Sequence, residues 1–124
     1  MAEGRGQMEA AKALFLQAWH ESESDFEKFT AAHFVARHQE NVSDKLKWDE
    51  LALEMAKKIK DESIKSSYPS LYLNIGKCYE DLHDSKLAIE NYQKAESYTE
   101  FLSEDGYGKM IKSGILGGLE RVKL

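Results

Sequence analysis

The chain has 124 residues, of which 42% are apolar and 31% charged, with 8 Gly, one Pro and one Cys. That length suits one domain able to bury about two thirds of its unfolded surface without a metal or disulfide staple. So few Gly and Pro exclude a β-sandwich or barrel, which turns every ~8–12 residues; one Cys excludes an internal disulfide and a cysteine-only zinc site; and the net charge of −5 argues against a nucleic-acid partner.

Residues 1–7 are polar and Gly-bearing and are expected to be disordered. Residues 9–20 then place Ala11, Leu14, Phe15, Ala18 and Trp19 on one stripe, the spacing of an amphipathic helix. Ser24 with Glu27 three residues on reads as a capping box for a second helix over 25–39, whose apolar set is Phe26, Phe29, Ala32 and Ala36. Ser43 or Asp44 is expected to cap a third helix over 45–60, carrying Leu46, Trp48, Leu51, Ala52, Met55, Ala56 and Ile59. A polar linker follows over 61–67. Pro69, the single proline, suits the first turn of a fourth helix reaching Leu82. Asp84 or Ser85 caps a fifth reaching Leu102, Gly106 and Gly108 mark a break, and a sixth runs over 109–122. No stretch alternates at period two, so the predicted class is all-α.

Helices four and five carry the most specific pattern. Tyr72-x-x-Ile75-Gly76-x-x-Tyr79 is followed, twelve residues after the Gly, by Ala88-x-x-x-Tyr92-x-x-Ala95. Small Gly76 and Ala88 let two antiparallel helices approach closely, and the tyrosines fill the gaps beside them. This pattern resembles the tetratricopeptide repeat (TPR). Ala11-x-x-x-Phe15-x-x-Ala18 echoes the second-helix part of the motif, and helices two and three read as a degenerate repeat. The resemblance implies antiparallel helix pairs stacked as a short TPR-like superhelix of about six helices, one domain over 1–124. Gly114 and Gly118, four apart on helix six, read either as a close-packing face against helix five or a second molecule, or, with Gly117, as a frayed or broken stretch of that helix.

First helices of such repeats line a concave, peptide-binding groove. Carried onto this chain, the resemblance implies groove positions at Ser70, Leu73, Asn74, Lys77 and Asp81 on helix four. On helix two, Thr30, His33 and Arg37 share the corresponding stripe. The expected function is therefore a non-enzymatic interaction module or adaptor holding a peptide or helix of a partner protein. The alternative is a self-associating scaffold in which helices one and six stack between copies. Residues 66–108 carry a net charge of −5 and residues 109–124 a net +3, a polarity suited to head-to-tail stacking.

No enzymatic constellation emerges. His20, His33, His38 and His83 lack metal-ligand spacing, and His83-Asp84-Ser85 is a turn with caps rather than a triad, whose members converge from distant positions. Cys78 falls on the buried side of helix four and reads as a small core hydrophobe. No phosphate-binding glycine loop is present, so no catalytic residue, cofactor or metal is expected. No apolar run approaches the ~20 residues of a membrane span, and the first residues lack the apolar stretch of a signal peptide; with one Cys, the expectation is a soluble cytoplasmic protein without nucleic-acid or membrane partners. The repeat register makes a direct prediction: Gly76→Leu overpacks the helix four–five contact and lowers stability by about 1–3 kcal/mol. Thermal or chemical unfolding measures it, and an unchanged midpoint contradicts the register.

Overall fold

The computed structural model describes residues 2–123, with side chains from residue 6 onward. The described chain is six α-helices and two short 3-10 helices, without a strand. It divides after Ile59 into two compact units, described in turn. No helix among the described residues is long and apolar enough to cross a membrane.

The first unit holds α1 (Ala2–Glu21), α2 (Asp25–Arg37) and α3 (Val42–Lys57). α2 packs against both neighbours. Its buried residues are Ala31, Ala32, Val35 and Ala36, and α3, packed against it, buries Ala52, Met55 and Ala56. Alanines on both sides let the two helices approach closely, and the helices form an antiparallel hairpin. α1 adds aromatic contacts: Phe15 stacks on Phe34 with centroids 4.7 Å apart, and Trp19 meets Trp48 edge-on at 5.5 Å.

Ser24 caps α2 as the sequence suggests, but the reciprocal bond of a capping box falls one residue early. Ser24 Oγ accepts from the Glu27 N–H at 3.1 Å, while Glu27 accepts from the Glu23 N–H, one residue before the cap. Other boundaries differ. α1 starts at Ala2 rather than near residue 9, taking in most of the segment expected to be disordered. α3 starts three residues early because Asn41, not Ser43 or Asp44, is its cap, accepting from the Asp44 N–H at 3.1 Å. Phe26, expected on the apolar stripe of α2, is instead 61% exposed.

The second unit holds α4 (Tyr68–Asp81), α5 (Ser85–Ser97) and α6 (Gly106–Val122). The linker expected over 61–67 is a 3-10 helix, Glu62–Ser67, capped by Asp61 and pinned by buried Ile64. α5 stops at Ser97, short of the expected Leu102, and a 3-10 turn (Thr99–Phe101) follows. Ser97 and Thr99 hydroxyls bond back to the Lys94 and Glu96 carbonyls, and Tyr98 leaves the helix to stack face to face on Tyr72 at 5.9 Å. Tertiary aromatic packing here overrides local helical periodicity.

Gly106 and Gly108, expected to mark the break before the last helix, instead form its first turn. Asp105 caps the helix by accepting from the Gly108 N–H at 3.0 Å, and a side chain at Gly108 would strike the Ser103 carbonyl. The core of this unit is Leu71, Tyr72, Ile75, Cys78, Ala88, Tyr92, Ala95, Ile111, Ile115 and Val122. At its centre the Tyr92 ring, 0% exposed, is gripped between two helices. A Cβ built on Gly76 of α4 would lie 2.7 Å from that ring, and one on Gly118 of α6 only 2.5 Å from it. The packing role expected of Gly118 is thus met against α5, while Gly114 faces Leu73 of α4.

The α4–α5 turn is a Schellman motif. The Asp84 N–H reaches the Tyr79 carbonyl and the His83 N–H reaches the Glu80 carbonyl, the 6→1 and 5→2 pair that closes a helix end. His83 is held at φ 63° to make it, the left-handed region that costs a side-chain-bearing residue roughly 1–2 kcal/mol. We expect His83→Gly to raise stability by about 0.5–1 kcal/mol, the relief of that strain minus the chain entropy glycine adds to the unfolded state. Denaturant unfolding reads this directly, and a lower midpoint contradicts the assigned turn.

Candidate functional site

The two groups of predicted binding residues lie in different units and are taken separately. On α4, Ser70, Asn74, Lys77 and Asp81 follow one stripe, at the three- and four-residue spacing that keeps side chains on one helix face. Ser70 is half-buried, and its hydroxyl donates to the Ser67 carbonyl at 3.1 Å. Asn74 is half-buried on the same face. Lys77 is exposed and pairs with Asp81 at 2.7 Å, with Glu80 at 4.0 Å. Leu73 is different: it packs beneath Gly114 of α6 and against the core around Ala88 and Tyr92. That engagement takes Leu73 out of the open face.

Beside this stripe lies a buried-to-surface relay that the sequence did not announce. The Tyr92 hydroxyl donates to Glu80 Oε1 at 2.7 Å. The same carboxylate takes a forked pair of bonds from Arg121 of α6, Nε to Oε2 at 2.8 Å and Nη2 to Oε1 at 3.2 Å. Planar guanidinium and carboxylate match in this geometry, so the pair orients as well as attracts. The Arg121 bonds hold the Glu80 carboxyl below its ordinary value. Burial, helped by the Glu80 carboxylate, pushes the Tyr92 phenol well up, so it remains a neutral donor.

On α2, Thr30, His33 and Arg37 do not converge on one open surface. Thr30 lines a crevice shared with α1. His33 is half-buried, stacked near Phe29 and edge-on to Phe34, and its Nδ1 is buried without a hydrogen-bond partner. Burial lowers its pKa from the ordinary 6.5 against an opposing pull from Asp49; the ring is a neutral packing element. Arg37 is exposed and lies over the Phe34 ring at 5.8 Å, a cation–π contact.

The α1–α2 crevice, about 460 Å³, is lined chiefly by Phe15, Ala18, Phe26, Thr30, Ala31 and Phe34. Sequence reasoning assigned Phe15 and Phe26 to core stripes and missed this opening. The available signal was the acidic run Glu21, Glu23, Asp25 and Glu27 immediately flanking Phe26, an unusual place for a buried aromatic. Glu80–Arg121 had no local signal, since 41 positions separate the partners.

Among the described residues, no group of three or more His, Cys, Asp or Glu could hold a metal ion. Compared with known proteins, the chain matches no protein-family model, no curated protein and no solved structure.

The Glu80 pair carries a pH dependence of definite sign. A carboxyl whose folded pKa is lowered stabilises the fold above its unfolded value and loses that contribution as pH falls through the folded one. Stability should therefore decline as the pH drops below the ordinary 4.5 of Glu80, and Glu80→Gln should flatten that part of the acid limb. Thermal unfolding of both chains across the acid range tests it; superimposable acid limbs contradict the assignment.

Proposed function

We propose that this chain is a non-enzymatic protein-binding module, a TPR-like adaptor of the cytoplasm, that holds a peptide or helix of a partner protein on the outward face of α4. The observation that carries this reading is the construction of the α4–α5 hairpin. Its small residues, Gly76, Ala88 and Ala95, are all buried, and Tyr92 lies against Gly76, so the motif residues are occupied in holding the helices together. Ser70, Asn74, Lys77 and Asp81 are left on a face with both signs of charge and hydrogen-bonding groups, the chemistry that takes a peptide backbone and its polar side chains. Loops and faces that a rigid scaffold holds open are where binding residues concentrate.

The Lys77–Asp81 pair does not obstruct this role. An exposed ion pair is worth about 0.2–1 kcal/mol, so a ligand carboxylate can take Lys77 from Asp81 at little cost. Buried Cys78 suits a reducing compartment, where disulfides are rare.

The test is selection of peptides from a displayed random library against the purified chain. Selected peptides should lose about tenfold or more in affinity, about 1.4 kcal/mol, on Asn74→Ala and on Lys77→Glu, with far-UV circular dichroism unchanged. Failure to select any binder, or binders indifferent to both substitutions, overturns the proposal.

A further inference from the structure

Two surface features play no part on the α4 face. The first is the α1–α2 crevice. Phe26 stands 61% exposed at its margin, and Leu14, one turn before Ala18 on α1, is 66% exposed. Glu21 and Glu27 line it, and Glu23 and Asp25 flank it in sequence. None of these four carboxylates is in an ion pair among the described residues. The occupant such a surface favours is an apolar side chain carried between cations.

The second feature is the outer face of α6. Leu116 is 58% exposed. Helical spacing sets Lys112 one turn before it and Lys109 two turns before, on the same face, and the C-cap residue Lys123 lines the same groove as Leu116. All three lysines are exposed, and none is in an ion pair among the described residues. Arg121, by contrast, is engaged by Glu80. Glu120, exposed one turn after Leu116, shares this face and with Glu96 of α5 lines the groove beside Leu116 and Lys123; three lysines against that one carboxylate of α6 still leave the face net positive around an apolar anchor, opposite in charge to the crevice.

We propose that the crevice of one copy receives the outer face of α6 of a second copy, with Leu116 against Phe26 and the lysines facing the carboxylates of the 21–27 segment. The two surfaces are different, so the contact is head-to-tail. Each addition leaves one crevice and one α6 open, and assembly proceeds to a ring or an open chain. A single helix face in one crevice falls in the small-interface class, below ~1,200 Å², where association is weak and reversible. The proposal shares no residue with the α4 face and does not rest on peptide binding there.

The experiment is sedimentation velocity on the purified full chain from about 10 µM to about 1 mM, the range of weak interfaces. The mean mass should rise from one chain towards two or more at low salt, and the rise should shrink as salt screens the charges. Phe26→Lys and Leu116→Glu should each be monomeric throughout. Their equimolar mixture should form dimers and nothing larger, because one retains a working α6 and the other a working crevice. Both positions are exposed, and circular dichroism checks that each variant is folded. The pair Asp25→Lys and Lys112→Glu probes the same contact without altering an apolar side chain and should each weaken the assembly. A wild-type chain that stays monomeric at the highest concentration overturns the proposal, even if the crevice then takes a segment of another protein. Undiminished self-association by Phe26→Lys alone or Leu116→Glu alone overturns it too, since either points to a symmetric or different interface.

Discussion

The second unit depends on one ring. Tyr92 is wholly buried between Gly76 of α4 and Gly118 of α6, and no larger residue at either glycine leaves the ring where it is. Burying a tyrosine is favourable through its area, but its hydroxyl needs a partner when it leaves water. Glu80 supplies that partner, and Arg121 neutralises Glu80. A single side chain of α5 thereby ties α4 and α6 together, by shape through the two glycines and by hydrogen bonds through one carboxylate. Glycine inside a helix costs roughly 0.5–1 kcal/mol relative to alanine; here the close approach of three helices offsets it.

The first unit solves the same problem by other means. α2 and α3 meet through alanines, and the bulk is supplied by aromatic pairs that α1 brings to Phe34 and Trp48. Its buried carboxylate, Asp49, is 1% exposed and is paired with Lys45 one turn away on the same helix at 2.7 Å. The contrast with Glu80 is instructive. Asp49 also pulls electrostatically on His33 of α2, whereas Glu80 joins a buried hydroxyl and an arginine from two different helices by hydrogen bonds. Aromatic side chains that exceed what the alanine contact can cover remain near the surface, and Phe26 at the crevice is the result.

The surface open to a partner follows from what packing leaves over. On α4 the residues of the repeat-like motif are consumed by the hairpin, and Leu73 is consumed by α6, so the open face reduces to Ser70, Asn74, Lys77 and Asp81. On α2 the half-buried, neutral His33 and the stacked Arg37 serve the helix itself. Charge is distributed with the same economy: Arg121 is committed inward to Glu80, while the remaining lysines of α6 face outward.

The amino-acid sequence by itself determined the helical class, the number of helices and the pairing of α4 with α5. These rest on apolar spacing, capping side chains such as Ser24 and Asp84, and the pairing of small Gly76 and Ala88 with tyrosines beside them, each a signal within about twenty residues of its own helix. It left Gly118 as a packing position or a break, and only the fold, with Tyr92 against it, decided for packing. Only the tertiary structure decided the rest. The end of α5 depends on Tyr98 reaching Tyr72, the engagement of Leu73 depends on α6, and the Glu80–Arg121 fork joins residues 41 positions apart. Exposure of Phe26 could not be read from periodicity, because a stripe of apolar residues states which side faces a neighbour but not how far that neighbour extends. Local interactions leave their mark at three- and four-residue spacing; long-range ones leave none until the chain has folded.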